Sequence, residues 1–219
     1  MKPFIYTIAA LLLGTSAAAV ATGDNRISAD LADVDVIHNG KIVTIGRAND
    51  NSDMPRGYDN IARHCPPFCI QPMQVLPGVE TVGELELLGY LKRRSEGDDS
   101  VLVIDSRTPD WTSRGTIPGA VNVPWNRINT DVGGSFAIDS EAGSLEQIMH
   151  DQFGAVRTAS GWDFSNAKLL VLFCNGAWCG QSSMNIRTLA KLGYPTHKLK
   201  WYRGGMQEWV SLGLSIARP

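Results

Sequence analysis

Blocks of consecutive apolar residues alternate with segments of helical periodicity over the second half of the chain. Four apolar blocks predict strands, at 101–104, 120–123, 169–173 and 196–202. Apolar runs without polar alternation are typical of parallel strands that are covered on both faces. Helical patterns fall between and after them at 144–151, 182–192 and 206–212. This order predicts an α/β fold with an open, mostly parallel sheet flanked by helices on both faces.

A further helix is predicted just before the first of these strands. Thr81 and Glu84 have the spacing of a capping box, and the basic residues at 92–94 suit the last turn of a helix. Between them Leu85, Leu88 and Leu91 recur on one face. We therefore expect the α/β domain to occupy residues 80–219.

Residues 22–79 form an extension in front of this domain. Residues 35–45 predict a small β-hairpin that turns at Asn39-Gly40, the strongest short hairpin signal in the chain. The later part contains Cys65-Pro66-Pro67-Phe68-Cys69, whose prolines predict an irregular segment lying on the main domain.

The N-terminal 21 residues have the pattern of a signal peptide. Lys2 precedes an apolar run at 4–13, and small residues end at Ala21, after which we expect cleavage. The rival interpretation, an uncleaved anchor, would need roughly 18 to 20 apolar residues. The mature protein is therefore expected to be periplasmic or otherwise exported, with no membrane span after cleavage.

Charge is balanced along the chain, with 20 basic and 22 acidic residues and a net charge of −2. No basic cluster favours nucleic acid or an anionic membrane surface as a partner. We expect no cofactor.

The strand pattern at 169–173 ends in Cys174, which a loop containing Gly176 and Gly180 connects to the next predicted helix. Such a loop turns backbone N–H groups inward, and their partial positive charge stabilises a thiolate or persulfide. The pKa of a free cysteine, about 8.5, falls in such surroundings. Cys174 is therefore the predicted nucleophile, held by the backbone amides of Asn175, Gly176, Ala177, Trp178 and Gly180.

Four motifs, in order, resemble the rhodanese family. Asp105-Ser106-Arg107 and the segment Gly115-Thr116-Ile117-Pro118-Gly119-Ala120-Val121-Asn122-Val123-Pro124 are similar to the family signature, and Cys174 follows a strand as the family nucleophile does. Leu192-Gly193-Tyr194, and then Gly204-Gly205 with Trp209 and Gly213, resemble the closing elements. The resemblance implies a sulfurtransferase in which Cys174 carries a persulfide, while Asp105 and Arg107 brace the loop. It also implies a small sulfur donor or a protein persulfide and a thiol acceptor, which could be a protein.

The chain departs from the family pattern in and near the loop. Thr116 replaces the usual histidine of the signature, which argues against proton transfer there. The loop is longer than in typical family sulfurtransferases and has no arginine or lysine between Cys174 and Ser183, so thiosulfate as the donor is in question. Phosphatase relatives have an arginine where this chain has Gly180, which argues against phosphate chemistry.

Cys179 shares the loop with Cys174 and leaves several interpretations open. It could resolve a persulfide, or the two thiols could exchange with a partner dithiol, as in a periplasmic thiol-disulfide oxidoreductase. Cys179 could equally be an unreactive loop residue. The protein could also be a non-catalytic rhodanese-like binding module.

The second cysteine pair, Cys65 and Cys69, predicts a local disulfide or a redox pair that faces the loop. His64 lies beside it, but a structural zinc site needs four ligands. His38, His150 and His197 form no second cluster at a recognisable spacing, so we expect no metal site.

Overall fold

The computed structural model describes residues 27, 31–46, 58, 65–129 and 145–218. The predicted signal peptide at 1–21 and His64 lie outside the described residues. The strands are β1 Val34–His38, β2 Lys41–Ile45, β3 Glu80–Val82, β4 Val101–Asp105, β5 Val121–Asn122, β6 Val156–Thr158, β7 Gly161–Asp163, β8 Leu169–Phe173 and β9 Leu199–Tyr202. The α-helices are α1 Glu84–Ser95, α2 Pro109–Thr112, α3 Trp125–Ile128, α4 Leu145–Gln147, α5 Gln181–Lys191 and α6 Gly205–Ser211; a π-helix, Ile148–Gln152, follows α4, and a 3-10 helix, Thr196–Lys198, precedes β9.

Five parallel strands form the central sheet, in the order β3-β9-β8-β4-β5. The predicted α/β architecture is therefore confirmed. β8 is the middle strand, and its last residue, Phe173, pairs with Asp105 at the end of β4. Because all five strands run in the same direction, their carboxyl ends form one edge of the sheet, where ligands of open α/β sheets bind.

Alternate residues of the central strands feed two separate cores. From β8, Leu170 and Leu172 enter one core with α5 and the π-helix, whereas Val171 and Phe173 enter the other with α1 and α6. Helices therefore cover both faces, as predicted, and each core contributes apolar burial at about 25 cal/mol per Å².

The predicted N-terminal hairpin is present as β1 and β2, which pair around Asn39 and Gly40. Both turn residues have positive φ, 49° and 73°, which is the conformation that this type of turn requires. Val34 and Val36 are buried in the core on the α1 side of the sheet. The extension is therefore packed on the domain.

The predicted capping box of Thr81 and Glu84 is wrong. Thr81 belongs to β3, where it pairs with Trp201, and α1 begins after Gly83. The N–H of Gly83 donates to the Glu86 carboxylate at 3.0 Å. This is one of the two hydrogen bonds of a capping box, and the other cannot form because glycine has no side chain. Pairing with β9 satisfies the backbone hydrogen-bonding groups of Thr81, so Thr81 is part of a strand and Gly83 is the N-cap of α1.

Three other boundaries differ from the sequence pattern. The block at 196–202 begins as the 3-10 helix, and only Leu199–Tyr202 forms a strand. The helix predicted at 144–151 is one turn of α4 followed by the π-helix, and the strand predicted at 120–123 is the two-residue β5. The antiparallel pair of β6 and β7 was not predicted. Among the described residues, no helix has the length and apolar character to cross a membrane.

Candidate active site

Cys174 lies where the central strand β8 ends, and the start of α6 fixes its backbone. The carbonyl oxygen of Cys174 accepts the N–H of Met206 at 3.0 Å, and that of Asn175 accepts the N–H of Gln207 at 2.9 Å. Gly205 has φ 57°, and a Cβ there would lie 2.3 Å from the carbonyl oxygen of Cys174. The loop and α6 therefore approach at a distance that only glycine allows.

Several donors converge on the Cys174 sulfur. The hydroxyl of Ser182 donates to Sγ at 3.1 Å, and the Ser182 oxygen accepts the indole N–H of Trp201 at 3.0 Å. Burial raises the pKa of Cys174, but hydrogen bonds from the Cys179 thiol, from the Ser182 hydroxyl and N–H, and from the N–H of Gly176 outweigh it and lower the pKa to about 7. These donors favour the thiolate of Cys174, whereas the carbonyl oxygen of Cys179, 3.2 Å from Sγ, accepts a hydrogen bond from the protonated thiol.

Cys179 is the proton-bearing partner of this pair. Its hydrogen bond to Cys174, its burial and the negative charge of Cys174 raise the pKa of the Cys179 thiol, although the N–H groups of Gln181 and Asn175 oppose this. Both thiols are free and buried, with exposed fractions of 2% for Cys174 and 5% for Cys179. The Cys179 thiol also donates to Oε1 of Gln181 at 3.5 Å, and both thiols are shielded from solvent.

The predicted amide donors occupy distinct places in the loop. The N–H of Gly176 donates to the sulfur of Cys174, and the N–H of Asn175 donates to the sulfur of Cys179. Ala177 presents its carbonyl to the extension, the indole of Trp178 donates to Gln207, and Gly180 is the N-cap of α5.

Ser182 was missed in the sequence analysis, although it makes two of the hydrogen bonds to the sulfur. Its position in the first turn of α5 was the available signal, because the first amides of a helix point out of its N-terminal end.

Asp105 and Arg107 form a buried ion pair at the neighbouring strand end. The Arg107 guanidinium donates to both carboxylate oxygens of Asp105, from Nε at 2.8 Å and from Nη2 at 2.5 Å. Nη2 also reaches the carbonyl oxygen of Gly115 at 2.8 Å, and the hydroxyl of Thr116 donates to Asp105 at 2.7 Å. Burial opposes the charge of Arg107, but the attraction of Asp105 outweighs it and raises the pKa of Arg107.

Tyr58 of the extension joins this ion pair to the loop. Its hydroxyl accepts Arg107 Nη1–H at 2.7 Å and donates to Asn175 Oδ1 at 3.2 Å. Tyr58 is 5% exposed, and burial raises its pKa to about 12, so it remains a neutral donor. No local sequence pattern links Tyr58 to a loop more than a hundred residues away, so only the folded chain identifies it.

Residues 65–73 lie over the loop, and we call them the covering segment. Cys65 and Cys69 form a disulfide within it. Phe68 packs edge-on against Trp178 with ring centroids 5.6 Å apart, and the N–H of Gln71 donates to the carbonyl of Ala177 at 2.8 Å. The extension therefore contacts the two loop residues, Ala177 and Trp178, that lie between the two thiols in the chain.

The described residues contain no group of three or more metal-ligating side chains. Within the loop itself, from Cys174 to Ser183, no lysine or arginine is present. The charge of Arg107 interacts with Cys174, but this guanidinium is already paired with Asp105.

The model of the rhodanese-like domain matches residues 87–212, more than half of the chain, and the chain belongs to this family. Among solved structures, the BH2092 protein from Bacillus halodurans is 18% identical, with a TM-score of 0.43, 64% of this chain covered and 77% of that one. A protein of unknown function from Rhodopseudomonas palustris, described as a possible tyrosine phosphatase, is 21% identical, with a TM-score of 0.40 and coverages of 64% and 85%. A human single-domain sulfurtransferase is 20% identical, with a TM-score of 0.37 and coverages of 61% and 96%. No curated protein matches this chain.

Proposed function

We propose that this protein is a sulfurtransferase or sulfur carrier that forms a persulfide on Cys174. Membership of the rhodanese-like family supports a sulfurtransferase-type role in general. The observation that carries the specific proposal is the geometry at Cys174: its buried sulfur accepts the Ser182 hydroxyl at 3.1 Å, and such hydrogen bonds lower the pKa of the thiol. A low-pKa thiolate is the nucleophile that sulfur transfer requires.

The proposed reaction has two displacement steps. The Cys174 thiolate attacks the outer sulfur of a donor, the donor S–S bond breaks, and the remainder of the donor leaves as a thiolate or related anion. An acceptor thiolate then attacks the outer sulfur of the persulfide, and Cys174 leaves as the thiolate. The N–H groups of Gly176 and Ser182 and the Ser182 hydroxyl stabilise the negative charge of the Cys174 thiolate, which attacks in the first step and leaves in the second.

The charges of the loop favour a donor other than thiosulfate. A dianion entering this loop would meet backbone dipoles, whereas the guanidinium of Arg107 is held by Asp105. Trp178 and Phe68 present apolar surface above the loop. A polysulfide or a protein-bound persulfide fits these surroundings better than a free dianion does.

The burial of Cys174 requires the covering segment to move before donor or acceptor can reach the sulfur. The contacts that hold this segment include the Phe68–Trp178 ring contact and the Gln71–Ala177 hydrogen bond. Arg203 also donates to the carbonyl of Gln71, and the hydroxyls of Ser183 and Thr81 donate to the Gln71 side chain and to the carbonyl of Met73. We propose a protein acceptor because a partner that binds the covering segment could also displace it. Export across a membrane, with residues 1–21 as the signal peptide, belongs to the same proposal.

A second function, thiol-disulfide oxidoreduction by Cys174 and Cys179, is favoured by the hydrogen bond between the two thiols. Mass analysis of intact protein and of peptides distinguishes the two functions. The protein is treated with thiosulfate and with polysulfide in parallel. Each should add one sulfur to Cys174, and the modified fraction of the protein should be larger with polysulfide. The loss of two hydrogens, with Cys174 linked to Cys179, would indicate exchange instead.

The Cys174→Ser variant is the control for both outcomes, because it removes the nucleophile and keeps a hydroxyl in its place. If neither change occurs on the wild-type protein, and Cys174→Ser retains biological activity, the protein is a non-catalytic binding module.

A further inference from the structure

The covering segment contacts the loop of the two buried thiols through Phe68 and Gln71, and the same segment contains a disulfide. Cys65 is exposed and Cys69 is half-buried, whereas Cys174 and Cys179 are buried. We propose that the Cys65–Cys69 disulfide exchanges with the Cys174–Cys179 dithiol. The four cysteines then form an intramolecular relay between the buried loop and thiols or disulfides in solution.

The contacts of the covering segment bring its inner cysteine to the loop. The carbonyl of Cys69 accepts the side-chain amide of Gln71 at 3.0 Å, and the backbone N–H of Gln71 bonds to Ala177 at 2.8 Å. Phe68, the residue before Cys69, packs on Trp178. Ala177 and Trp178 both lie between Cys174 and Cys179 in the chain, so the disulfide is anchored on the segment that joins the two thiols.

The two thiols have the unequal ionisation that such an exchange needs. Cys174 is the attacking group, because its pKa is about 7. The pKa of Cys179 is raised by its hydrogen bond to Cys174, by burial and by the negative charge of Cys174. Once Cys174 forms a disulfide, that hydrogen bond and that charge disappear while burial remains, and the N–H groups of Gln181 and Asn175 still stabilise a thiolate on Cys179. The first step therefore activates the residue that performs the second.

The exchange is balanced without any added reagent. The Cys174 thiolate attacks Sγ of Cys69, the Cys65–Cys69 bond breaks, and Cys65 leaves as a thiolate toward solvent. The proton of Cys179 passes to the Cys65 thiolate. The Cys179 thiolate then attacks Sγ of Cys174, and Cys69 leaves as a thiolate. One dithiol is oxidised and one disulfide is reduced, and the exposed outer pair is what a dithiol or disulfide in solution meets.

A two-cysteine variant of the full chain tests the key step. The Cys65→Ser, Cys179→Ser double variant retains only Cys69 and Cys174, and it is reduced and then treated with one equivalent of diamide at low protein concentration. Peptide mass analysis without reduction should find the Cys69–Cys174 disulfide within monomers. Its formation should be roughly tenfold or more faster than that of Cys65–Cys174 in the Cys69→Ser, Cys179→Ser control, because the inner cysteine has the higher effective concentration at the loop.

The Cys179→Ser single variant keeps the native disulfide and provides a second measurement if the double variants do not fold. Incubation at pH 8 followed by N-ethylmaleimide should trap Cys174 linked to Cys69, with Cys65 alkylated. The relay would be overturned if the Cys69–Cys174 linkage were absent from both the Cys65→Ser, Cys179→Ser variant and the Cys179→Ser variant. Equal rates of disulfide formation with Cys174 by Cys69 and by Cys65 would overturn it as well. Polysulfide loading of Cys174 in a Cys65→Ser, Cys69→Ser variant tests the proposed sulfurtransferase separately, because that variant lacks the relay and retains the nucleophile.

Discussion

Replacement of Ser182 by alanine should raise the pKa of Cys174. The change removes the hydroxyl that donates to the sulfur at 3.1 Å and leaves the N–H of Ser182 in place. A hydrogen bond to a charged group contributes about 1.5–3 kcal/mol. At about 1.4 kcal/mol per unit, its loss should move the pKa from about 7 to about 8–9. The thiolate fraction at pH 7 should then fall from about half to about a tenth or less.

Ultraviolet absorbance of the thiolate, followed as a function of pH, measures this shift, and the pH dependence of alkylation provides a second reading. Ser183→Ala is the matched control, since Ser183 is also buried but its hydroxyl donates to the carbonyl of Gly180 at 3.0 Å and to Oε1 of Gln71 at 3.4 Å. Its titration should match that of the wild-type protein. A Ser182→Ala protein that is folded and titrates at about 7 would refute the assignment of this hydroxyl as a thiolate donor.

Three further predictions concern the backbone of the loop, the extension and pH. Gly205→Ala should destabilise the protein by several kcal/mol in urea unfolding, because the new Cβ would lie 2.3 Å from the carbonyl oxygen of Cys174 and the left-handed backbone is strained for alanine. The control is Gly89→Ala on the exposed face of α1, where nothing lies within 4 Å of the new Cβ, and it should stabilise the protein slightly. Tyr58→Phe should cost about 1–3 kcal/mol of unfolding free energy, because Arg107 and Asn175 lose a buried partner; an unchanged midpoint would contradict this link. The folded pKa of Cys174 is below that of an unfolded thiol, so the unfolded chain binds more protons near neutrality. The free energy of unfolding should therefore be about 1–2 kcal/mol higher at pH 8.5 than at pH 6, and this difference should be lost as the pH falls through 7. Cys174→Ser should lose this dependence.

The sheet and the hairpin could be predicted because their signals are local. Apolar runs such as Leu169–Phe173 match β8 to the residue, and Asn39-Gly40 lies in the turn between β1 and β2. The error at Thr81 has a physical cause: the capping pattern competes with pairing to β9, and a strand partner more than a hundred residues away is not visible in a local pattern.

The candidate site also has parts that a local pattern predicts and parts that depend on contacts between distant residues. Cys174, Cys179 and their loop form one contiguous motif, so sequence order alone placed them together. Tyr58 reaches the loop from the extension, and Trp201 orients the Ser182 hydroxyl from β9. These contacts depend on how distant elements pack, and no spacing rule along the chain encodes them.

The burial of the thiols is also a property of the folded chain. Cys174 is only 2% exposed in the folded chain, and no local pattern in its loop predicts this burial. A low pKa and burial are compatible because backbone amides and the neighbouring thiol replace water as donors to the sulfur. Reactivity in this protein therefore depends on both ionisation of the thiol and displacement of the cover.

The most direct test of this account is the rate at which polysulfide adds one sulfur to Cys174, measured by mass as a function of pH. The account predicts that the rate rises with a midpoint at about 7 and then reaches a plateau, and that Cys174→Ser gains no sulfur. A midpoint near 8.5, the value of an ordinary thiol, or no sulfur on Cys174 at any pH, would contradict it.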